Sequence, residues 1–330
     1  VKDESTTGAT DAFVAHRTLL FTVAYEILGS ASDAEDVLQE TWLRWVDVDL
    51  TQVRERRAYL ARITTRQALN RLRTLQRRRE DYVGQWLPEP LLTSPDVAED
   101  VLLAESVSMA LMVVLESLAP TERAVFVLRE TFDFAYDEIA DAVEKSPEAV
   151  RQIAHRARGH VRSRRPRRVA TPAETRTALE AFKVSIETGD VQALMDVLAP
   201  DVVVLADGGG VKQAVPNPVR GADRVARLFV GGMRKAGGVL TAVPWTVNGH
   251  PGLLVAMDGE LDGVFAAQVQ DGRIAGIYYV RNPHKLGRLE EEVPLTRHER
   301  TRAGAAAPSA GQTTGSQRRS TASPSGESAQ

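Results

Sequence analysis

Cysteine is absent from the 330 residues, which removes disulfides and thiolate metal ligands and fits a reducing compartment. Aromatic residues are sparse, at 5%. No apolar run approaches the ~18 residues a membrane helix needs. The opening VKDESTTGATDAF has neither a basic n-region nor an apolar h-region, so no secretory leader is read there. Together these absences lead to the expectation of a cytoplasmic protein with no membrane segment, no metal and no cofactor. The length exceeds what one compact core accommodates, so two or three domains are expected.

What is present is charge, sorted by sign. The net charge is only −3, yet positions 54 to 79 hold ten arginines against one acid, Glu55. Positions 145 to 168 hold Lys145 and eight arginines against Glu148 alone. Asp33, Glu35, Asp36 and Glu40 crowd one short acidic patch, and 87–105 carries five acids and no base. Two basic surfaces of this kind attract a phosphate backbone.

Helical spacing dominates the first half. Phe13, Leu20, Val23, Ala24 and Ile27 recur at helical intervals before Gly29 ends the run. Ser32, with Glu35 three positions on, predicts a capping box for a second helix, and a third begins near Arg57. Pro88, Pro90 and Pro95 then mark an acidic, aperiodic linker over 81–104. Helices resume over 105–165, with Ser146-Pro147-Glu148 as a concentrated helix start. Past Pro172 two helices are predicted (173–188 and 191–198). The strand-like runs VVVLA, VLTAVPWTV, GLLVAM, GVFAAQVQ and RIAGIYYV follow, with one helix, GADRVARLFVGGMRKA, among them. Asn248-Gly249 and Asp271-Gly272 are type I′ hairpin residues. From 291 to 330 the composition cannot offset ordering entropy, and a disordered tail is expected.

On a helical wheel of 59–77, Tyr59, Arg62, Arg66, Asn70, Arg73 and Arg77 share one arc opposite Leu60, Ala61, Ala68, Leu72 and Leu75. An ordinary solvated face mixes signs, and this one has no acid. Arginine grips phosphate, asparagine reads base edges and tyrosine stacks on unpaired bases, so duplex backbone or an opened strand would suit this face. YDEIADAV–EKS–PEAVRQIAHRAR has the layout of a helix-turn-helix. Ile139 and Val143 face Val150, Ile153, Ala154, Ala157 and Val161, leaving Arg151, Gln152, His155, Arg156, Arg158 and Arg162 pointing away from the core, with the N-terminal part of the helix suited to the major groove. The bland alternative is a helical hairpin with a basic face. Trp42 and Trp45 beside the acidic patch can serve an interface or a core, and Trp45 fits the core better.

SASDAEDVLQETWLRW resembles the polymerase-binding helix of region 2 in the sigma-70 family. YLARITTRQALNRLR resembles the following −10 helix, and LAPTERAVFVLRETFDFAYDEIADAVEKSPEAVRQIAHRAR resembles region 4. With only a short linker between them, the plan is similar to the extracytoplasmic-function group. The resemblance implies region 2 over 10–80, region 4 over 105–168 and a protein that is not an enzyme. It places Asp33, Glu35, Asp36, Gln39, Glu40 and Trp42 against the clamp helices of the largest subunit of core RNA polymerase. It also places Arg62, Arg66, Asn70 and Arg73 beside the melted −10 strand of promoter DNA. The loop 46–57 would capture a flipped base. Arg151, Gln152, His155 and Arg156 would lie at −35.

GQWLPEP (84–90), LADGGGVKQAV (205–215) and YVRNPHKLGRL (279–289) resemble three signatures of one subgroup, with His284 where an aspartate is typical. That subgroup fuses a SnoaL-like domain, an NTF2-type α+β cone, after region 4, here 172–290. The implied fold class is multidomain, two all-α sigma domains plus a C-terminal α+β cone, and the fused domain is thought to act in place of a separate anti-sigma protein. Three readings of that domain stand open: protein contact, ligand sensing in the cone, or acid–base catalysis by Asp207, Asp258, Asp262 or His250. The working expectation is that Asp207, Gly208, Gly209 and Gly210, with Asn282, Pro283, Lys285 and Leu286, dock against Trp86, Leu87 and Pro88 of the linker. The alternative for Trp86 is packing within its own linker. Asp207–Gly210 is not a nucleotide loop, since no G-x-x-x-x-G-K-[ST] follows a strand. Outside this family, a ligand-responsive helix-turn-helix regulator that does not bind core polymerase is the competing reading, and an enzyme with a DNA-binding appendage is the third.

Overall fold

The computed structural model describes residues 2–79, 82–164, 170–289 and 291–298. Among the described residues, the helices of the first half are α1 (Lys2–Leu28), α2 (Ala31–Trp45), α3 (Arg56–Arg79), α4 (Pro95–Glu99), α5 (Val101–Val107), α6 (Met109–Leu115), α7 (Pro120–Phe126), α8 (Tyr136–Val143) and α9 (Pro147–Arg164). A π-helical turn, Val127–Thr131, links α7 to α8. The second half contributes α10 (Pro172–Thr188), α11 (Val191–Val197) and α12 (Ala222–Ala236). Its strands are β1 (Leu198–Asp207), β2 (Val219–Arg220), β3 (Leu240–Val247), β4 (His250–Met257), β5 (Glu260–Gln270) and β6 (Arg273–Val280).

One continuous apolar core runs from Ala9 through Trp45, Leu72, Met112 and Phe126 to Val161. The two helical modules are therefore packed on each other and not strung apart. Trp45 is fully buried and donates its indole N–H to the carbonyl of Ala9 at 2.8 Å, as a core tryptophan requires. Trp42 is half-buried against Phe13, with ring centroids 5.3 Å apart.

The sheet runs in the order β2-β1-β6-β5-β4-β3, with β1 and β6 parallel and its other pairs antiparallel. Over β5 and β6 both faces are covered. Phe265 and Ile277 point to the core under α10, α11 and α12, while Val264, Ala266, Tyr278 and Val280 point to a third core built with Leu87, Leu92 and Met109. Burial on both sides explains why GVFAAQVQ and RIAGIYYV are almost continuously apolar. Asn248-Gly249 and Asp271-Gly272 both adopt positive φ (50° and 74°; 50° and 75°), as type I′ turns demand.

Two expectations are corrected. The N-cap of α2 is Ser30, not Ser32: its hydroxyl accepts from the Asp33 amide, and Glu35 turns to Arg17 at 2.7 Å. The cause is Glu89, whose carboxylate takes the amides of Ala31 and Ser32 and displaces the expected box. The tail is also not disordered from 291. Leu295 is buried in the first core, the Val293 amide donates to the Leu92 carbonyl, and Arg297 pairs with Asp100 at 2.8 Å. Two apolar side chains and one ion pair suffice to hold a segment whose composition reads as polar. The remainder of the expected tail, 299–330, lies outside the described residues, as do positions 165–168 of the second basic run.

Candidate functional site: a clamped linker between helical modules and sheet

The segment read as a loose linker is buried from Leu87 to Thr93. Its backbone is extended, and every second amide has a partner outside the segment. Leu87 N–H donates to Asp207 Oδ2 (2.9 Å), Glu89 N–H to the Gly29 carbonyl (2.9 Å), Leu91 N–H to Asn248 Oδ1 (2.9 Å) and Thr93 N–H to the Thr246 carbonyl (3.0 Å). The intervening Pro88 and Pro90 have no N–H to satisfy. A buried backbone must have its polar groups paired, and over 87–91 this alternation does so for the N–H groups with two prolines and three donors.

Asp207 is fully buried at the end of β1 and is surrounded by donors. Tyr82 Oη (2.6 Å) and the Gly209 amide (3.0 Å) reach Oδ1, while the Leu87 amide and Lys285 Nζ (2.7 Å) reach Oδ2. Lys285 also donates to the Leu87 carbonyl and stands 4.1 Å over the Trp86 ring. Asn282 donates to Tyr82 Oη at 2.8 Å and packs so closely on Gly209 that a Cβ there would lie 2.3 Å from it. The far edge of Trp86 meets Gly29, in the α1–α2 turn, where a Cβ would lie 2.8 Å from the ring. The structure thus brings together Trp86, Leu87, Asp207, Gly209, Asn282 and Lys285, and the Trp86 ring meets Lys285 and Gly29, both outside its own linker. Leu286 is buried in the sheet-side core, Gly208 is buried beside them and Gly210 meets Val83, whereas Pro283 and His284 are exposed.

A second anchor was not recognised in the sequence. Asn248, read there only as a turn residue, is fully buried. Its side-chain amide donates to Tyr25 Oη (2.7 Å) and the Val107 carbonyl (2.8 Å), and its backbone amide to the Leu91 carbonyl. Tyr25 in turn donates to the Glu89 carbonyl at 2.7 Å. A Cβ on Gly249 would lie 2.7 Å from Cα of Ala104, so only glycine lets the hairpin tip seat on α5. Glu89 completes the tie: its carboxylate sits on the N-terminus of α2, where exposed amides and the helix dipole favour negative charge. Burial nevertheless pushes the Glu89 carboxyl above its ordinary value, against those hydrogen bonds.

The acidic helix α2 carries its own counter-charges. Arg71 of α3 binds Asp33 at 2.7 Å and Asp36, and lies 4.0 Å from Glu40. Asp36 and Gln39 remain exposed. On α3, Arg62 stacks on Tyr59 at 4.4 Å, and Tyr59 packs on Trp45. Arg66 donates to the Asp141 carbonyl at 2.7 Å and approaches Glu144 at 3.5 Å, both in the helix-turn-helix. Arg57 donates to the Phe132 carbonyl and covers the Phe134 ring at 4.2 Å. Asn70 and Arg73 hydrogen-bond to each other at the surface. On α9, Arg151, Gln152, His155 and Arg156 are exposed. The face expected at −35 is open, and the face expected at −10 is partly covered by the other module.

None of the four acid–base candidates is arranged as a free base. Asp258 caps the Val239 amide (2.8 Å), and Asp207 is saturated as described. His250 reaches the Ala104 carbonyl at 3.1 Å, and burial lowers its pKa. Asp262 lies in the cone, where burial would raise its pKa. Hydrogen bonds from Arg281 and Tyr279, with the charge of Arg281 and a bond from Lys212, outweigh that and hold it at about 2. Among the described residues no helix is long and apolar enough to cross a membrane.

Residues 12–78 match the Sigma-70 region 2 family and residues 108–161 the Sigma-70, region 4 family. The chain is 35% identical over 287 residues to the ECF RNA polymerase sigma factor SigJ of Mycobacterium tuberculosis, across 83% of this chain and 92% of the relative. It is 32% identical to the probable ECF RNA polymerase sigma factor SigI of the same species, across 86% and 96% of the two chains. The crystal structure of the M. tuberculosis SigJ superposes with a TM-score of 0.68 at 31% identity, covering 86% of this chain and 99% of that one. A region 2 bundle, a region 4 helix-turn-helix and a fused mixed-sheet domain, matched along nearly their whole length by such relatives, make this chain a member of the extracytoplasmic-function RNA polymerase sigma factors.

Proposed function

We propose that the C-terminal α+β domain controls this sigma factor by holding the linker as a buried strand, so that the two DNA-reading modules rest against each other until core polymerase separates them. The single observation that carries the reading is the alternate pairing of the 87, 89, 91 and 93 amides with the sheet domain and the α1–α2 turn. The contact of Arg66 with the helix-turn-helix favours a resting form, because that side chain must be released to meet DNA, and Arg57 adds a tie to Phe132 and Phe134 just before it. In the working form, Asp33, Glu35, Asp36, Gln39, Glu40 and Trp42 face the clamp helices of the polymerase largest subunit. An acidic helix rimmed by tryptophan suits a basic coiled coil. Tyr59, Arg62, Arg66, Asn70 and Arg73 attend the opened −10 strand, and Arg151, Gln152, His155 and Arg156 read the −35 duplex.

The test is co-purification with core polymerase followed by run-off transcription from a promoter linked to the protein's own gene. The wild type is expected to bind core polymerase and Asp36→Arg to lose that binding, whereas a helix-turn-helix regulator that does not act through core polymerase would show no binding to lose. Trp86→Ala removes the ring that spans Lys285 and Gly29, and promoter output is expected to change severalfold. Unchanged output together with unchanged domain contacts in Trp86→Ala removes the mechanism.

A further inference from the structure

The clamp uses one end of the C-terminal domain and leaves its interior untouched. Between the sheet and α10 and α12 lies a cavity of ≈ 730 Å³, within the range of small-molecule sites. One wall is aromatic: Phe182 lies 4.9 Å from Phe265 and 5.2 Å from Phe229, ring centre to ring centre. The other end is polar. Asp262 accepts from Tyr279 Oη (2.5 Å), from Arg281 Nε and Nη2 (2.8 Å each) and from Lys212 Nζ (3.1 Å). Among the described residues lining the cavity the cations are Lys183, Arg227, Lys235 and Arg281; Lys183 pairs with Glu180 and Arg227 with Asp223, while Asp262 is shared by Arg281 and Lys212, which leaves one positive charge over at that end. Arg281 spends one further N–H on the Gln213 carbonyl, so two of its five donors have no partner within the cluster. An apolar chamber with surplus positive charge at one end selects a ligand of matching form.

We propose that this cavity binds an apolar carboxylic acid, its body against the phenylalanine wall and its carboxylate on Arg281, and that the linker registers its presence. The second half follows from one loop. Gln213, Ala214, Val215 and Pro216 line the cavity, while the same loop begins at Asp207, which holds Leu87 and Tyr82. The Pro216 carbonyl accepts from Gln85 at 3.2 Å, and Gly210 lies against Val83. A carboxylate drawn to the two remaining donors of Arg281 sets a second negative charge beside Asp262 and the Gln213 carbonyl, and so shifts the loop on which the linker rests. This coupling rests on the clamp reading; the ligand site itself does not.

The full chain is titrated by calorimetry with sodium dodecanoate below its micelle concentration and, in parallel, with methyl dodecanoate. Saturable binding at one site is expected, at least tenfold weaker for the ester. Arg281→Gln is expected to weaken the acid at least tenfold. Gly232→Phe is expected to block it, since Gly232 lines the cavity and a Cβ there would meet no atom outside its own stretch of helix. Trp86→Ala is expected to keep saturable binding of the acid and the preference for it over the ester, which separates the existence of this site from the clamp. Dodecanoate that does not saturate, or binds no better than its ester, overturns the ligand assignment, and the ester comparison needs no variant to fold. Binding that leaves hydrogen exchange over 85–93 unaltered overturns the coupling.

Discussion

Glu26 is a carboxyl group placed where its charge is costly. It is fully buried in α1 and accepts from Ser106 (2.8 Å) and Thr131 (3.0 Å), so it ties the first module to α5 and to the π-helical turn. Burial raises its pKa to about 7, despite those two hydrogen bonds and the charge of Arg123. The folded chain therefore binds a proton that the unfolded chain releases near 4.5. The stability so gained is complete below about 4.5 and is lost as pH rises to about 7. The change is of order 3 kcal/mol, at about 1.4 kcal/mol per unit. Glu26→Gln keeps the shape and cannot ionise. Urea unfolding at pH 5 and pH 8 is expected to give a larger loss of stability with pH for the wild type than for the variant; equal losses refute the assignment.

At the scale of elements, the linker strand is the decisive one, and hydrogen exchange reads it directly. The amides of Leu87, Glu89, Leu91 and Thr93 are expected to exchange slowly, as paired amides of a sheet do. Asp207→Asn removes the charge facing Lys285, whose side chain is 12% exposed. Breaking a buried pair on one side costs about 3–5 kcal/mol, so Leu87 exchange is expected to accelerate by two orders of magnitude or more. Unaltered Leu87 exchange in that variant would falsify the role given to Asp207. The helices, the helix-turn-helix and the hairpins were legible because 3.6-residue spacing and Asn-Gly or Asp-Gly turns are local signals. The linker was not, because a strand covered on both faces shows no alternation and its two prolines read as punctuation. Asn248 was legible as a turn and silent as an anchor: its partners Tyr25, Leu91 and Val107 are 141 to 223 positions away. Leu295 was lost in a polar context for the same reason, since the core that receives it lies at the other end of the sequence. Trp86, Asp207 and Lys285 were found through motif resemblance, not through any local pattern.

At the scale of the whole molecule, the question is what holds the two helical modules together and what parts them. Their shared core is extensive, whereas the polar contacts of Arg66 are surface contacts: Glu144 is 74% exposed, and such a pair contributes little. Opening must therefore be driven by differential binding, since a ligand shifts two states only by the difference in its affinity for them. In the mechanism proposed above, core polymerase supplies that difference and the linker clamp sets how much is required. The lack of native cysteine makes this measurable. Thiols introduced at Thr74 on α3 and Gly159 on α9, both exposed, can carry a donor and an acceptor dye. Energy transfer is expected to be high in the free protein and to fall when core polymerase is added. With Trp86→Ala in the same background, the fall is expected at a lower polymerase concentration, because the closed state is then less favoured. If transfer is the same with and without polymerase, the resting arrangement is also the working one, and control must lie elsewhere than in the spacing of the modules.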